Sequence, residues 1–456
     1  MKTRDITKFL IPFGAVVACV VVFSSIANYL VFYSSTHTIK EYLFSYWNKS
    51  PLEVSAGDVK GFTSARGLHR TKLTKTVFGY FPYWVSQDTY IDWEALSHMA
   101  YFSSVATTNG TLNHRVWPQT KLIADAKRHD VKFLLTISNF NPGELDTILS
   151  NNTVRNQLID NIIAEVNKYN LDGVSIDFET PNPSQAQNFN VFFGTLRQRL
   201  KSIDDKKELH IATWPVDWAP ENYDYTSVTG LADGLFIMSY NYHWKGSGRA
   251  GPVSILEGPK WGTYNLRWTI NDYLRNKTNN RNDKIILGLP YYGLDWQTQS
   301  SSVPSNTLSQ AKSHSYSGAK SYAVANGRRW DNDSKNPYVV YTEGGVTRQL
   351  WYDDAESLSY KYQLAIDNNL QGVGIWALGF DAGNNELWQV IRNYFSIPVS
   401  DVNVDRKVND TDMNLLIGKV SDSDPTLDIN SDGVINSIDF SYILTQWGDY
   451  PLPPRK

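Results

Sequence analysis

Asp177 and Glu179 stand two residues apart in the stretch "LDGVSIDFET" at residues 171–180, where the surrounding residues are mostly apolar. In a strand, alternation sends Val174, Ile176 and Phe178 to one face and Ser175, Asp177 and Glu179 to the other. At the usual rise per residue the two acids sit roughly 6.6 Å apart on the same wall. Two neighbouring carboxyls can divide a proton between them, one held neutral as an acid while the other stays charged. Asp172 precedes the strand proper and reads as structural support.

The elements that would hold this pair follow from the pattern after Thr76. Short apolar runs alternate with longer amphipathic ones, which predicts repeated strand-helix units. Eight strand candidates occur: "TVFGYFPYW", "HMAYFSSVA", "KFLLTISNF", "GVSIDFE", "LHIATWPV", "GLFIMSYNY", "KIILGLPYYG" and "GVGIWALGF". Helical stretches such as "VRNQLIDNIIAEVNKYN" lie between several of them, so the fold class is α/β, a (β/α)8 barrel. A doubly wound open sheet is the alternative, but no Gly-rich phosphate loop follows the first strand. Residues 297–350 are too long for a loop and predict a small insertion after strand 7. In such a barrel the inward layers are ordinarily Val, Ile or Leu, and chemistry sits at the C-terminal strand ends, where Glu179 falls.

Enzymes that cleave glycosidic bonds with two carboxyls place them on opposite sides of the bond. Neighbours on one strand cannot, so another group must attack. "DGVSIDFE" resembles the DGxDxDxE signature of the glycoside hydrolase family 18 chitinases and endo-β-N-acetylglucosaminidases, in which the substrate's own 2-acetamido oxygen attacks. "VFGYFPYW", "MSYNYH", "ILGLPYYG" and "GVGIWALG" resemble the family's first, sixth, seventh and eighth strands, so the resemblance covers about residues 75–396 and is nearest the spore-cortex-lytic branch. It implies a glycosidase acting on β-1,4-linked N-acetylglucosamine polymers, chitin or peptidoglycan glycan. Glu179 then matches the general acid, Asp177 the residue that orients the acetamido group, and Tyr240 its hydrogen-bond donor. Trp376 matches the floor beneath the reacting sugar, with Tyr80 and Met238 as wall residues.

Two positions depart from the family. Ser175 stands at the motif's middle aspartate and Asn241 follows the sixth-strand tyrosine where an aspartate is usual. Each removes a charge that could trade protons with Asp177 or grip the sugar. "TISNF" in the third strand also replaces the usual Ser-x-Gly-Gly. These departures sustain a rival reading, a weakly active or lectin-like carbohydrate-binding protein on the same barrel.

The 456 residues are 41% hydrophobic and 20% charged, enough for a large core, and a net charge of −3 speaks against nucleic acid as a partner. The single Cys19 excludes a disulfide framework within the chain. Residues 9–33 carry no charge and follow Lys2, Arg4 and Lys8, the pattern of a single-pass anchor with the rest of the chain outside the cell. A cleaved signal peptide ending at Ser25-Ile26-Ala27, giving a secreted protein, and a lipoprotein site at Cys19 compete with it. The expected domains are therefore an anchor at 1–36, a tether at 37–74, the barrel at 75–396 and a tail at 397–456.

That tail carries an internal repeat. "DVNVDRKVNDTD" and "DINSDGVINSID" place oxygen-bearing side chains at loop positions 1, 3, 5, 9 and 12, the spacing that wraps calcium. The ligands are Asp401, Asn403, Asp405, Asn409 and Asp412 in the first loop, and Asp428, Asn430, Asp432, Asn436 and Asp439 in the second. Gly433 fills the sixth position of the second loop and Arg406 that of the first, so the second is expected to be tighter. Each loop leads into a helix, and the pair resembles a type I dockerin module, which implies a structural calcium role and a cohesin-like protein partner. No cofactor is expected for catalysis.

Overall fold

The computed structural model describes residues 70–217 and 221–454. Cys19, the apolar run at 9–33 and the tether up to residue 69 lie outside the described residues. Among those described, no helix is long and apolar enough to cross a membrane.

Eight strands form the barrel: β1 Thr76–Pro82, β2 His98–Ala106, β3 Lys132–Asn139, β4 Gly173–Phe178, β5 Glu208–Thr213, β6 Gly234–Met238, β7 Ile285–Pro290 and β8 Gly372–Trp376. Each pairs in parallel with the next, and β8 pairs with β1 (Val373 opposite Val77), so the sheet closes. Helices cover the outside. The helix Asn152–Tyr169 starts where the Asn151 side chain accepts the Thr153 and Val154 amides, and it stops at Asn170 in the left-handed conformation. Its Leu158, Ile159, Ile162, Ile163 and Val166 recur at helical spacing and pack into the same apolar layer as Val174, Ile176 and Phe178 of β4.

The barrel interior differs from the aliphatic layers expected. It holds Phe78, Tyr80, Phe102, Phe236 and Met238. Glycines make room for them: a Cβ on Gly288 of β7 would lie 2.3 Å from the Phe236 ring, and one on Gly374 of β8 2.1 Å from it. Gly288 in "ILGLP" and Gly374 in "GVGIW" thus answer a ring contributed by β6.

The insertion is also longer than expected. It begins directly after β7 with Tyr292–Gln297 and runs to Val346–Trp351, forming a five-stranded antiparallel sheet with the helix Tyr316–Asn326. "PYYG" therefore divides between two elements. A Cβ on Gly293 would lie 2.8 Å from the Trp351 carbonyl oxygen, so the glycine serves the close approach of the insertion's strands rather than the barrel.

The tether expected through residue 74 gives way to structure by Thr71–Leu73, a strand that pairs antiparallel with Ser396–Pro398 at the start of the tail. The tail has its own small core of Val408, Leu416, Ile435, Tyr442 and Ile443, with helices Asp410–Ile417 and Ser437–Thr445. It is also bound to the barrel. The Arg406 guanidinium donates to the Tyr394 carbonyl in the last turn of the helix Asn385–Phe395, and Gln446 Nε2 donates to the Arg70 carbonyl at 2.9 Å.

Candidate active site

Strand β4 delivers Ser175 and Asp177 into the barrel, and Glu179 follows directly past its C-terminal end. Two side chains hold that end in place. Tyr223 donates its hydroxyl proton to the Phe178 carbonyl, and Trp214 Nε1 donates to the Glu179 carbonyl at 2.5 Å. Asp172 lies at the opposite end of β4, where its carboxylate accepts the Phe133 amide at 2.8 Å and ties β4 to β3.

The environment of the acids is hydroxylic and aromatic. Ser175 Oγ and Tyr80 Oη share a hydrogen bond of 2.8 Å, and Ser138, the register partner of Asp177, shares one of 2.7 Å with Ser103. Asp177 is buried, and its Oδ1 has no hydrogen-bond partner. Burial pushes its carboxyl well above the usual range, and the charge of Glu179 pushes the same way. Burial also lifts Glu179, to about 7. The sequence suggested the neighbouring charge as the cause for Glu179, whereas desolvation is the governing one. The consequence is unchanged: Glu179 keeps its proton to near-neutral pH and can donate it.

Tyr240 and Met238 are buried on and just beyond β6, and the Tyr240 ring meets Tyr292 edge-on at 6.1 Å. Tyr292 Oη donates to Asn241 Oδ1 at 2.9 Å. Asn241 has φ of 67°, a conformation that asparagine adopts more readily than most residues. Trp376 ends β8 and packs edge-on against Phe102 at 4.7 Å and Tyr80 at 5.8 Å. Asn241, Tyr292 and Trp376 line a cleft of about 600 Å³ together with Trp84, Trp244 and Phe380.

Several of these aromatics were not singled out from the sequence. Trp84, Phe140 and Trp244 are half exposed or more, at 53%, 50% and 58%, and each falls shortly after a strand end, beyond β1, β3 and β6. Phe140 stacks at 6.4 Å on Phe102. Large rings left in water at the mouth of a barrel are a surface for stacking, and the signal available was their position just past the end of each apolar run.

Comparison with known proteins agrees with this geometry. Residues 76–381 match the family described as glycosyl hydrolases family 18. The cortical fragment-lytic enzyme of Bacillus anthracis is 26% identical over 317 residues, covering 66% of this chain and 69% of that protein. The human di-N-acetylchitobiase is 24% identical over 265 residues, covering 49% of this chain and 64% of that protein. Among solved structures, the spore cortex-lytic enzyme SleL of Bacillus megaterium superposes with a TM-score of 0.58 at 22% identity, over 71% of this chain and 75% of the other.

Proposed function

This chain belongs to the glycosyl hydrolases of family 18, and from that premise we propose that it hydrolyses β-linked N-acetylglucosamine polymers, chitin or peptidoglycan glycan, with the substrate's acetamido group as nucleophile. The observation that carries the reading is the pairing of a proton-retaining Glu179 with a buried Asp177 whose Oδ1 lacks a partner. A buried acceptor without a donor is costly unless a ligand supplies one, and an acetamido N–H does.

The steps follow from that pair. The acetamido oxygen bonds to C1 as the glycosidic C1–O bond breaks, and the departing oxygen takes the Glu179 proton. The ring so formed is positive at nitrogen, and Asp177 accepts its N–H. Glu179, now a carboxylate, removes a proton from water, which opens the ring from the face the departing sugar left. Tyr240 steadies the acetamido carbonyl and Trp376 the sugar face. Asn241 and Ser175 take the places of charged groups, and Ser175 instead orients Tyr80. An oligosaccharide of N-acetylglucosamine should be cleaved while its glucose counterpart is not. Equal cleavage of the two, or none of either, would remove this function.

The tail belongs to the same proposal, as a calcium-stabilised module that carries the barrel to a cohesin-like protein. The donor set is duplicated in detail: Asp401 accepts the amides of Asp405 and Arg406, and Asp428 those of Asp432 and Gly433. Asp412 and Asp439, both fully buried, accept three loop amides each. A calcium ion would supply charge that these buried acids otherwise lack in the second loop. Arg406 takes a φ of 66° where Gly433 takes 94°, so the first loop carries a cost of about 1 kcal/mol that glycine avoids. Calorimetric titration of the chelator-washed chain should show two calcium sites. Asp428→Asn should weaken the tighter one at least about tenfold and leave oligosaccharide cleavage unchanged within about twofold. Absence of binding heat would eliminate the calcium role.

A further inference from the structure

A second cluster lies at the opposite end of the barrel from the acids. His98 is the first residue of β2, and Glu208 and His210 open β5. These strands are separated by β3 and β4 in the sheet, and the three side chains meet across the barrel base. Glu208 Oε2 lies 2.9 Å from His98 Nε2 and 2.9 Å from His210 Nε2. The three ligand atoms fall within 4.8 Å of one another, the one such group of His, Cys, Asp and Glu among the described residues. Both imidazoles are buried, and the Phe78 ring stacks on His98 at 5.8 Å.

The hydrogen bonds around His98 define which of its nitrogens carries the proton. Ser97 Oγ donates to the Val77 carbonyl at 3.0 Å and accepts the Val77 amide at 2.9 Å. Its hydroxyl proton is thereby used, so at 2.7 Å it can only accept from His98 Nδ1–H. His98 Nε2 then presents a lone pair to a carboxylate oxygen. His210 Nδ1 is buried without a partner, and so is Gln371 Oε1. Both crowd one point, 2.7 and 2.8 Å from where a Cβ on Gly234 would sit. The Gln371 amide is fixed with its Nε2 donating to the Asp233 carbonyl at 3.1 Å, so Oε1 is left as an acceptor facing that point. No hydrogen bond joins the two atoms, but a proton carried on His210 Nδ1 faces the same point as this acceptor and leaves Nε2 as a lone pair for a ligand.

The His98 Nε2 lone pair faces a carboxylate oxygen at 2.9 Å, and a cation held between them and His210 Nε2 would relieve that repulsion. We propose that His98 Nε2, His210 Nε2 and Glu208 Oε2 bind a divalent transition metal of the zinc type at the base of the barrel. Two imidazoles and a carboxylate suit zinc, whose ligands stand about 3.3 Å apart in a tetrahedral site, close to the 2.9 Å between Glu208 Oε2 and each imidazole nitrogen. Ser97 acts as the outer partner that fixes the His98 ring, and Lys132 holds the other oxygen of Glu208. Three protein ligands leave a fourth position for water. The ion would tie β2 to β5 where no backbone hydrogen bond can, a stabilising link remote from Asp177 and Glu179.

The test uses the full chain, stripped with chelator and dialysed against zinc chloride with excess calcium present to fill the tail. One zinc per chain by mass spectrometry, with Tm raised at least about 2 °C over the stripped protein in calcium alone, is the expected result. His98→Gln and Glu208→Gln should each weaken zinc at least about 100-fold while keeping oligosaccharide cleavage. A wild type that takes up no zinc, or variants that bind it as the wild type does, would overturn the site. If the variants misfold, cobalt(II) decides on the wild type. An intense visible band of a four- or five-coordinate ion supports the site, and the faint spectrum of an octahedral oxygen-bound ion refutes it.

Discussion

Glu179→Gln should lower kcat on an N-acetylglucosamine oligosaccharide by at least ~100-fold while leaving KM within about threefold. Glutamine keeps the shape of the side chain and removes only the proton that the departing oxygen needs. Burial sets the wild-type pH dependence, because it lifts the Glu179 carboxyl to about 7. The protonated form is the active one, so kcat/KM should fall as pH rises through that value. In Glu179→Gln that descending limb should vanish from whatever activity remains. A variant with near wild-type kcat, or a limb that persists unchanged, would assign the proton to another group.

Asp177→Asn should also cost about 100- to 1000-fold in kcat, for a different reason. The ring formed by the acetamido group is positive at nitrogen, and a preorganised carboxylate facing developing charge in a dry site is worth several kcal/mol. Asparagine retains an oxygen but not the charge, so binding survives while turnover fails. The two substitutions separate in their pH profiles. Since desolvation and not the Asp177 charge governs Glu179, the descending limb should move little in Asp177→Asn. A large downward displacement of that limb would show that the neighbouring charge controls the acid after all.

The barrel and its acids were legible because each rests on local alternation. Ser175 and Asp177 face inward and Val174, Ile176 and Phe178 outward, as a period of two requires. The eight apolar runs became eight strands in order, and "PYYG" misled only because Tyr292 reads as a continuation of β7 although it begins the insertion. What escaped the sequence depends on contacts between distant segments. Phe236 fills the interior only because Gly288 and Gly374 come from two later strands. His98 and Glu208 are 110 residues apart and meet only when the barrel closes. The cause of the Glu179 shift was misassigned for the same reason: the spacing of two charges can be counted along a strand, whereas the depth of burial is set by the whole fold. The tail repeat was plain in sequence, but its attachment through Arg406 to the Tyr394 carbonyl was not, since that residue stood out only as a missing glycine.

The most direct test of the acetamido mechanism is the anomeric configuration of the product at the moment of cleavage. Proton NMR of a β-linked N-acetylglucosamine oligosaccharide, recorded within the first minutes of hydrolysis and before mutarotation, should show the new reducing end as the β-anomer. Ring opening by water on the face vacated by the leaving sugar gives retention. Appearance of the α-anomer first would mean direct displacement by water, and Asp177 and Glu179 would not be working with the substrate's own acetamido group.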